Sequence, residues 1–562
     1  MKLTFPFTVK TPAFLAGAVV FCVSLMVQAI LLTDYYLHSP FYSGLICDSK
    51  VYYKWAADIF TGNIFGNEVF HQAPLYPYFI ALLWTIFGKS YLVIYVSQAL
   101  MTALACLLVF LVSSNLFNNK IGLAAGLLCA FYGALNFYAL KVLPDTLGMF
   151  LLLWLAFLLM NAGPARQWLL AGCACALLIV ARPHALLLLP MILIWMIFLR
   201  ADAAITVKNA AGGLKQFGIF MLPVIVLVGL VALRNYTVEP DMVLVSSNGG
   251  ENFFMGNNPK SEGIYCRMEG ISPDIEHQKE DVQKAAEAKA GRKLTRARAS
   301  SYWMRQAMIY IRDNFPEYLR LEALKLKRIF SGTEYTNMYF LWFERAEFTK
   351  SLRIPAAHFY LVLPLAIIGA VLLARDWRKY ALIYIMILLS VLNMLIFYVD
   401  ERYRLPMVPF LILLGAGGIH RILEITRPGT CPESRKYGLL ALIMAALAVT
   451  FYMSRTEPPR LEVTHQLYCN LGEVYYDKRE YRKALDMFYK SSRMAVNNWE
   501  SAVGVSKALF ALGNRDTAVK LYLQAFPNLD REIQSSCLRD DDLDSLREYI
   551  SAQEGNGNNK RK

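Results

Sequence analysis

The chain has 562 residues, 56% of them apolar and 18% charged, with a formal net charge of +14. Soluble domains average roughly 45–50% apolar and about 25% charged residues, so this composition points to the bilayer and excludes disordered, collagen-like and disulfide-scaffold chains. Nucleic-acid binding would also suit a basic chain, but the Lys and Arg sit in short loops between apolar runs and form no basic face.

A helix that crosses the membrane needs about 20 mostly apolar residues. The sequence predicts an all-α polytopic bundle of eleven spans, at 11–32, 91–113, 121–140, 146–162, 168–181, 183–199, 217–233, 356–374, 380–399, 405–425 and 437–453. Arg182-Pro183 splits the run 168–199 in two, because proline removes a helical hydrogen bond and an arginine at the bilayer centre is costly. The first run exceeds the roughly 7–15 residues of a signal-peptide core, so it is expected to be a retained helix. Pro74–Phe87 is apolar but short, and is expected to lie in the interface. With the N-terminus in the cytoplasm, fourteen short-loop Lys and Arg fall on the cytoplasmic side and seven on the other. The positive-inside rule therefore places the C-terminus outside.

Four parts follow: a membrane domain 1–233 with a first outer loop at 33–73 whose catalytic stretch reaches to 90, an outer helical domain 234–355, membrane helices 356–453, and a soluble tail 454–562. Ser272-Pro273-Asp274 has the chemistry of a helix start. Pro316–Phe330 alternates Leu and Ile with Arg320, Lys325, Lys327 and Arg328, as a helix on a membrane surface would. In the tail, Leu471-Gly472, Tyr475, Ala484, Phe488 and Ser491 recur 34 residues later as Val505-Ser506, Leu509, Ala518, Tyr522 and Ala525. That is the period and small/large alternation of tetratricopeptide repeats. Two such repeats and a last helix near 531–553 would form a helix-pair solenoid that binds a protein partner.

Five of the ten cysteines (Cys22, Cys106, Cys129, Cys173 and Cys175) fall within predicted spans and read as small packing residues. On the outer side Cys47, Cys266, Cys469 and Cys537 are available to oxidise, with no pairing fixed by sequence. Nucleotide signatures fail: Leu83 stands where the phosphate loop ending Gly88-Lys89-Ser90 needs its first glycine. Gly415-Ala416-Gly417-Gly418 falls in a span, where small residues mean close helix packing. There is no His-Glu-x-x-His zinc motif. Any group to be transferred must then arrive on a lipid.

Charged residues at the outer ends of spans are the chemical candidates. Asp48 follows the first span, Asp145 follows Pro144 after the third, and Arg402, Tyr403 and Arg404 precede the tenth; Arg182 and Arg234 also face outward. Each alone would pass as a solvated loop charge or an interfacial anchor. Together, two carboxylates and several arginines could neutralise a lipid phosphate and take a proton from an attacking hydroxyl.

The stretch Asp48-x-x-x-Tyr52-x-x-x-Ala56, then Gly62, then Phe70-His71-Gln72-Ala73-Pro74-Leu75-Tyr76-Pro77 resembles the first outer loop of family 39 membrane glycosyltransferases. These are bacterial relatives of protein mannosyltransferases and lipid A aminoarabinose transferases, with the GT-C fold. Pro144-Asp145, Arg182-Pro183, Arg234-Asn235-Tyr236, Asn248–Phe253, Gly256–Pro259 and Arg402–Pro406 continue the resemblance in order across about 1–425. It implies a multi-pass protein of the bacterial cytoplasmic membrane that moves a sugar from a polyprenyl-phosphate donor to a glycan, lipid or protein acceptor, with inversion, on the extracytoplasmic face. By position Asp48 would be the general base and Asp145 would orient the acceptor or a cation. Arg402 and Arg404, with Tyr403 and Arg182, would hold the donor phosphate. His71, Gln72, Asn248, Glu251 and Asn252 are candidate substrate contacts. A divalent cation is left open, with Asp48 and Asp145 as its ligands; no other cofactor is implied. The chain departs from the pattern where Ser49 replaces a second acid after Asp48 and where Gln72-Ala73 precedes Pro74. Two other classes compete: a flippase for lipid-linked sugars, which should carry ionisable residues at mid-membrane in repeated halves, and a non-enzymatic scaffold acting through its tail.

Overall fold

The computed structural model describes residues 11–199, 207–268, 271, 275–336, 338–427, 433–455, 461–494, 499–525 and 543–559. Among them there is no strand, only two isolated bridges, Tyr132–Ala357 and Ile264–Val399. Six helices are long and apolar enough to cross a membrane: Ala13–His38, Tyr91–Leu116, Ala210–Val238, Ala374–Ile396, Glu401–Ile425 and Tyr437–Ser454. Six shorter apolar helices accompany them, including Leu75–Phe87, Asp145–Asn161 and Ala165–Ala181. The chain is a multi-pass membrane protein built of helices.

Each predicted span overlaps helical segments, but 183–199 divides into a 3-10 turn, a short α-helix and a π segment, and 121–140 is not one continuous element. Asn119–Ala130 ends, and a separate short helix, Gly133–Tyr138, follows. No proline causes this break. The Gly133 N–H donates to the Ala357 carbonyl (2.8 Å) and the Ala357 N–H donates to that of Phe131 (3.0 Å). Asn136 Nδ2 satisfies the freed carbonyls of Ala130 (3.0 Å) and Tyr132 (2.8 Å). A distant backbone and one amide thus replace the helical ladder, as buried polar groups require. The break at Arg182 is as expected: Ala165–Ala181 ends there, and Pro183 opens a 3-10 turn.

Glycines set one close helix crossing. A Cβ on Gly369 would overlap the Leu414 carbonyl, and one on Gly418 would lie 2.8 Å from Gly369 Cα. The outer region is helical, with Ile275–Ala290, Arg296–Asp313 and Phe315–Ile329 as its main elements; Ser272-Pro273-Asp274 lies outside the described residues. Phe315–Ile329 exposes Phe315, Leu319 and Leu326, in keeping with a surface helix. Lys325, however, is buried, and its Nζ donates to Asn257 Oδ1 (2.9 Å) and the Leu395 carbonyl (2.8 Å).

The tail forms two helical hairpins, Leu461–Asp477 with Tyr481–Ser492 and Trp499–Ala511 with Arg515–Ala525. Gly472 and Gly504 both face the Phe488 ring, leaving no room for a Cβ. The last helix runs Asp544–Asn559, later than 531–553, and 526–542 lie outside the described residues. Cys537 is among those, and the Cys469 thiol instead meets the Ser491 and Ser501 hydroxyls at 3.2 and 3.4 Å.

Candidate functional site

Two helices begin at the site with an acid in their first turn, Asp48 in Cys47–Phe60 and Asp145 in Asp145–Asn161. Helix N-termini favour negative charge there. The chain enters the first of these through Cys47 at φ 46°, a left-handed conformation that costs an ordinary residue energy and marks a constrained place in the fold. Beyond it, Ser49 is fully buried and accepts a hydrogen bond from Tyr339 Oη at 3.0 Å. Asp48 and Ser49 are therefore held by different walls of the same turn.

Arg402 reaches across 354 positions to Asp48, with Nη1 to Oδ2 at 2.7 Å. Gln72 Nε2 donates to the other oxygen, Oδ1, at 2.9 Å. Alongside, Arg182 pairs with Asp145 at 2.5 Å. Tyr403 lies near both arginines, its ring centre 5.1 Å from the Arg402 guanidinium carbon and 6.0 Å from that of Arg182. Asp400, which caps the short helix carrying Arg402, accepts from the Arg402 N–H at 3.0 Å and lies 3.7 Å from its Nε. Burial pushes the Asp400 carboxyl up to about 6, with Arg402 pulling the other way. Three acids therefore surround two arginines.

These residues open into a cavity of about 1080 Å³ lined by Asp48, Gln72, Arg182, Arg402 and Tyr403. His71, Asn248, Glu251 and Asn252 line it further out; His71 Nε2 meets Glu251 Oε1 at 3.1 Å. Asp145 stays behind Arg182, 2% exposed. Arg404 does not share the cavity. It is buried in an ion pair with Glu401, donates to the Ser331 and Thr333 carbonyls, and stacks on Phe359. The stretch 248–258 contains the helix Gly249–Gly256, and Asn257 and Asn258 spend their amides on backbone carbonyls. Arg234 and Asn235 act as a clamp on the first loop. Arg234 Nη1 donates to the Glu68 carbonyl at 2.7 Å, and Asn235 Oδ1 accepts from the Phe70 N–H at 3.3 Å.

Residues 71–229 match the family described as dolichyl-phosphate-mannose-protein mannosyltransferase. The matched stretch holds His71, Gln72, Asp145 and Arg182 and leaves Asp48 and Arg402 on either side. No curated protein sequence matches the chain. Among solved structures, the oligosaccharyltransferase of Archaeoglobus fulgidus is partly alike. Its apo form is 11% identical, with a TM-score of 0.42, covering 83% of this chain and 58% of that one. A complex of the same protein with Zn and sulfate gives 13% identity, a TM-score of 0.43, and 83% and 56% coverage. One with an inhibitory peptide and a dolichol-phosphate gives 14%, 0.40, and 83% and 59%. The chain spans less than two thirds of the length of these proteins.

Sequence reasoning missed Asp400, although it stands two residues before Arg402, because the cap it makes is visible only once the turn is folded. Lys141 is one of the seven short-loop cations counted on the outer side. It is buried against Glu344 at 2.6 Å. As for a cation, Asp48 and Asp145 each already face an arginine, and among the described residues no three His, Cys, Asp or Glu side chains stand where they could share one metal ion. That donor set does not fit a divalent ion.

Proposed function

We propose that the chain is an integral-membrane glycosyltransferase of the GT-C type, moving a sugar from a polyprenyl-phosphate donor to a hydroxyl acceptor. The reading places the cavity on the extracytoplasmic face of a bacterial cytoplasmic membrane, with the N-terminus inside and the tail outside. It is supported by the family match over 71–229, and the observation that carries it is the Asp48–Arg402 pair at 2.7 Å in the cavity floor.

The chemistry follows from what each side chain touches. Arg402 and Arg182 offer guanidinium groups near Tyr403, where a phosphate diester can be gripped bidentately. The acceptor oxygen attacks the anomeric carbon as the carbon–oxygen bond to phosphate breaks, and the electron pair leaves on the phosphate. Asp48 takes the hydroxyl proton, a role worth about 10²–10⁴ in rate. One displacement inverts the anomeric centre. Gln72 aims Asp48, and Asp145 aims Arg182. Arg404 buttresses the turn and does not touch the donor. The hairpins of the tail are read as two tetratricopeptide repeats that engage a protein partner.

Asp48→Asn keeps the shape of the site and removes the base. Mass spectrometry of surface glycans and glycoproteins should show one sugar missing in that strain, with the protein inserted at the normal level. A normal complement of sugars in that strain would remove Asp48 from the mechanism.

A further inference from the structure

The tail does not stand apart from the site. His465 and Gln466, near the start of Leu461–Asp477, line the same cavity as Asp48. Leu467, Leu471 and Val474 from that helix belong to the main buried core. Val474 fills the space a Cβ on Gly44 would need, and Lys478 Nζ donates to the Pro40 carbonyl at 2.5 Å. Tyr468 meets Phe343 edge-on at 5.8 Å. Further along the tail, Glu500 pairs with Arg267 at 2.5 Å.

The rim chemistry narrows what enters there. Several of its charges are paired: Glu68, which also reaches Arg296 at 3.2 Å, holds Lys279 at 2.6 Å, and His71 holds Glu251 at 3.1 Å. The wall also offers the amides of Asn252, Gln278 and Gln466 and the ring faces of Trp55 and Tyr265. Amides donate and accept to neighbouring hydroxyls, and rings cover the apolar face of a sugar. At about 1080 Å³ the cavity also passes the usual ligand range of about 300–1,000 Å³, room for a donor head and an acceptor together.

We propose that the first tail helix walls the acceptor half of this cavity, and that the acceptor is a glycan. The inference rests on the glycosyltransferase reading above. In atoms, a glycan hydroxyl oxygen bonds to the donor's anomeric carbon, its proton passes to Asp48, and the lipid phosphate departs.

The test uses the full chain in cells and compares Asp48→Asn, His465→Ala/Gln466→Ala and the near-isosteric Gln466→Leu. Released polysaccharide and glycoproteins are analysed separately by mass spectrometry. Polyprenyl phosphate bound to each purified protein is measured in parallel. Asp48→Asn should delete a sugar from polysaccharide, and the tail variants should lower that same sugar about tenfold, as the loss of one or two hydrogen bonds to the acceptor would, with lipid phosphate bound as in wild type. Wild-type sugar levels in both tail variants overturn the proposal, as does a parallel fall in bound lipid phosphate. Loss of the sugar from proteins alone overturns the glycan acceptor. Unchanged glycans and glycoproteins in Asp48→Asn would instead sink the enzymatic reading beneath it.

Discussion

Lys141→Met tests how the floor beneath the site is held. Lys141 is 1% exposed, and its Nζ donates to both oxygens of Glu344, at 2.8 and 2.6 Å. Tyr35, Phe137 and Tyr339 surround the ammonium with ring centres 4.5, 4.5 and 4.6 Å away. Methionine keeps the length of the stem but leaves the Glu344 carboxylate buried with no cation. Removing one partner of such a pair costs about 3–5 kcal/mol, whereas replacing both with apolar groups is close to neutral. Lys141→Met should therefore lose about that much stability, and Lys141→Met/Glu344→Leu should recover most of it. Burial already pushes the Glu344 carboxyl up against the pull of Lys141, and without Lys141 it rises further. A carboxyl raised in the folded state binds its proton there at a pH where the unfolded chain has released it, so stability falls as pH rises through that window. The deficit of Lys141→Met should then be smaller near pH 5 than near pH 8. Equilibrium unfolding in mixed micelles, followed by tryptophan fluorescence, reads both effects. A single variant as stable as wild type, or a double variant weaker than the single, would refute the reasoning.

Arg402→Lys keeps the charge but loses the planar fork, and should raise the KM for the lipid donor about tenfold with little change in folding; donor kinetics unchanged from wild type would return Arg402 to a purely structural part. Because the Asp400 carboxyl titrates at about 6, acidification should free Arg402 from one of its two acids. Donor affinity should therefore fall as pH rises from about 5 to about 7. Asp400→Asn should hold the tighter, low-pH affinity throughout, and an unaltered pH profile in that variant would contradict the assignment. Gly369→Ala forces a methyl group onto the Leu414 carbonyl, an overpacking that typically costs about 1–3 kcal/mol or more; a thermal scan showing no loss would mean that the helices part freely.

Hydropathy located the apolar helical stretches because lipid demands long apolar runs, and Arg182-Pro183 announced its own break. What it could not show was set by partners far along the chain. The split after Ala130 has no local signal, since Ala357 and Asn136 replace the ladder. Lys141 and Lys325 look like loop and surface charges until Glu344 and Asn257 are brought to them. Asp48 and Arg402 stood out as charges at the outer ends of spans, but their contact across 354 positions belongs to the tertiary fold. Arg404 has the same composition and nearly the same address as Arg402, yet a two-residue step along a helical turn points it to Glu401 instead.

The final hydrophobic helix, Tyr437–Ser454, has only 11% of its most apolar window covered by protein. It behaves as a mooring line and not as a strut, so the tail must take its bearing from the grip of Val474 on Gly44, Lys478 on Pro40 and Glu500 on Arg267. A protease nick between that helix and the tail should leave the severed piece seated.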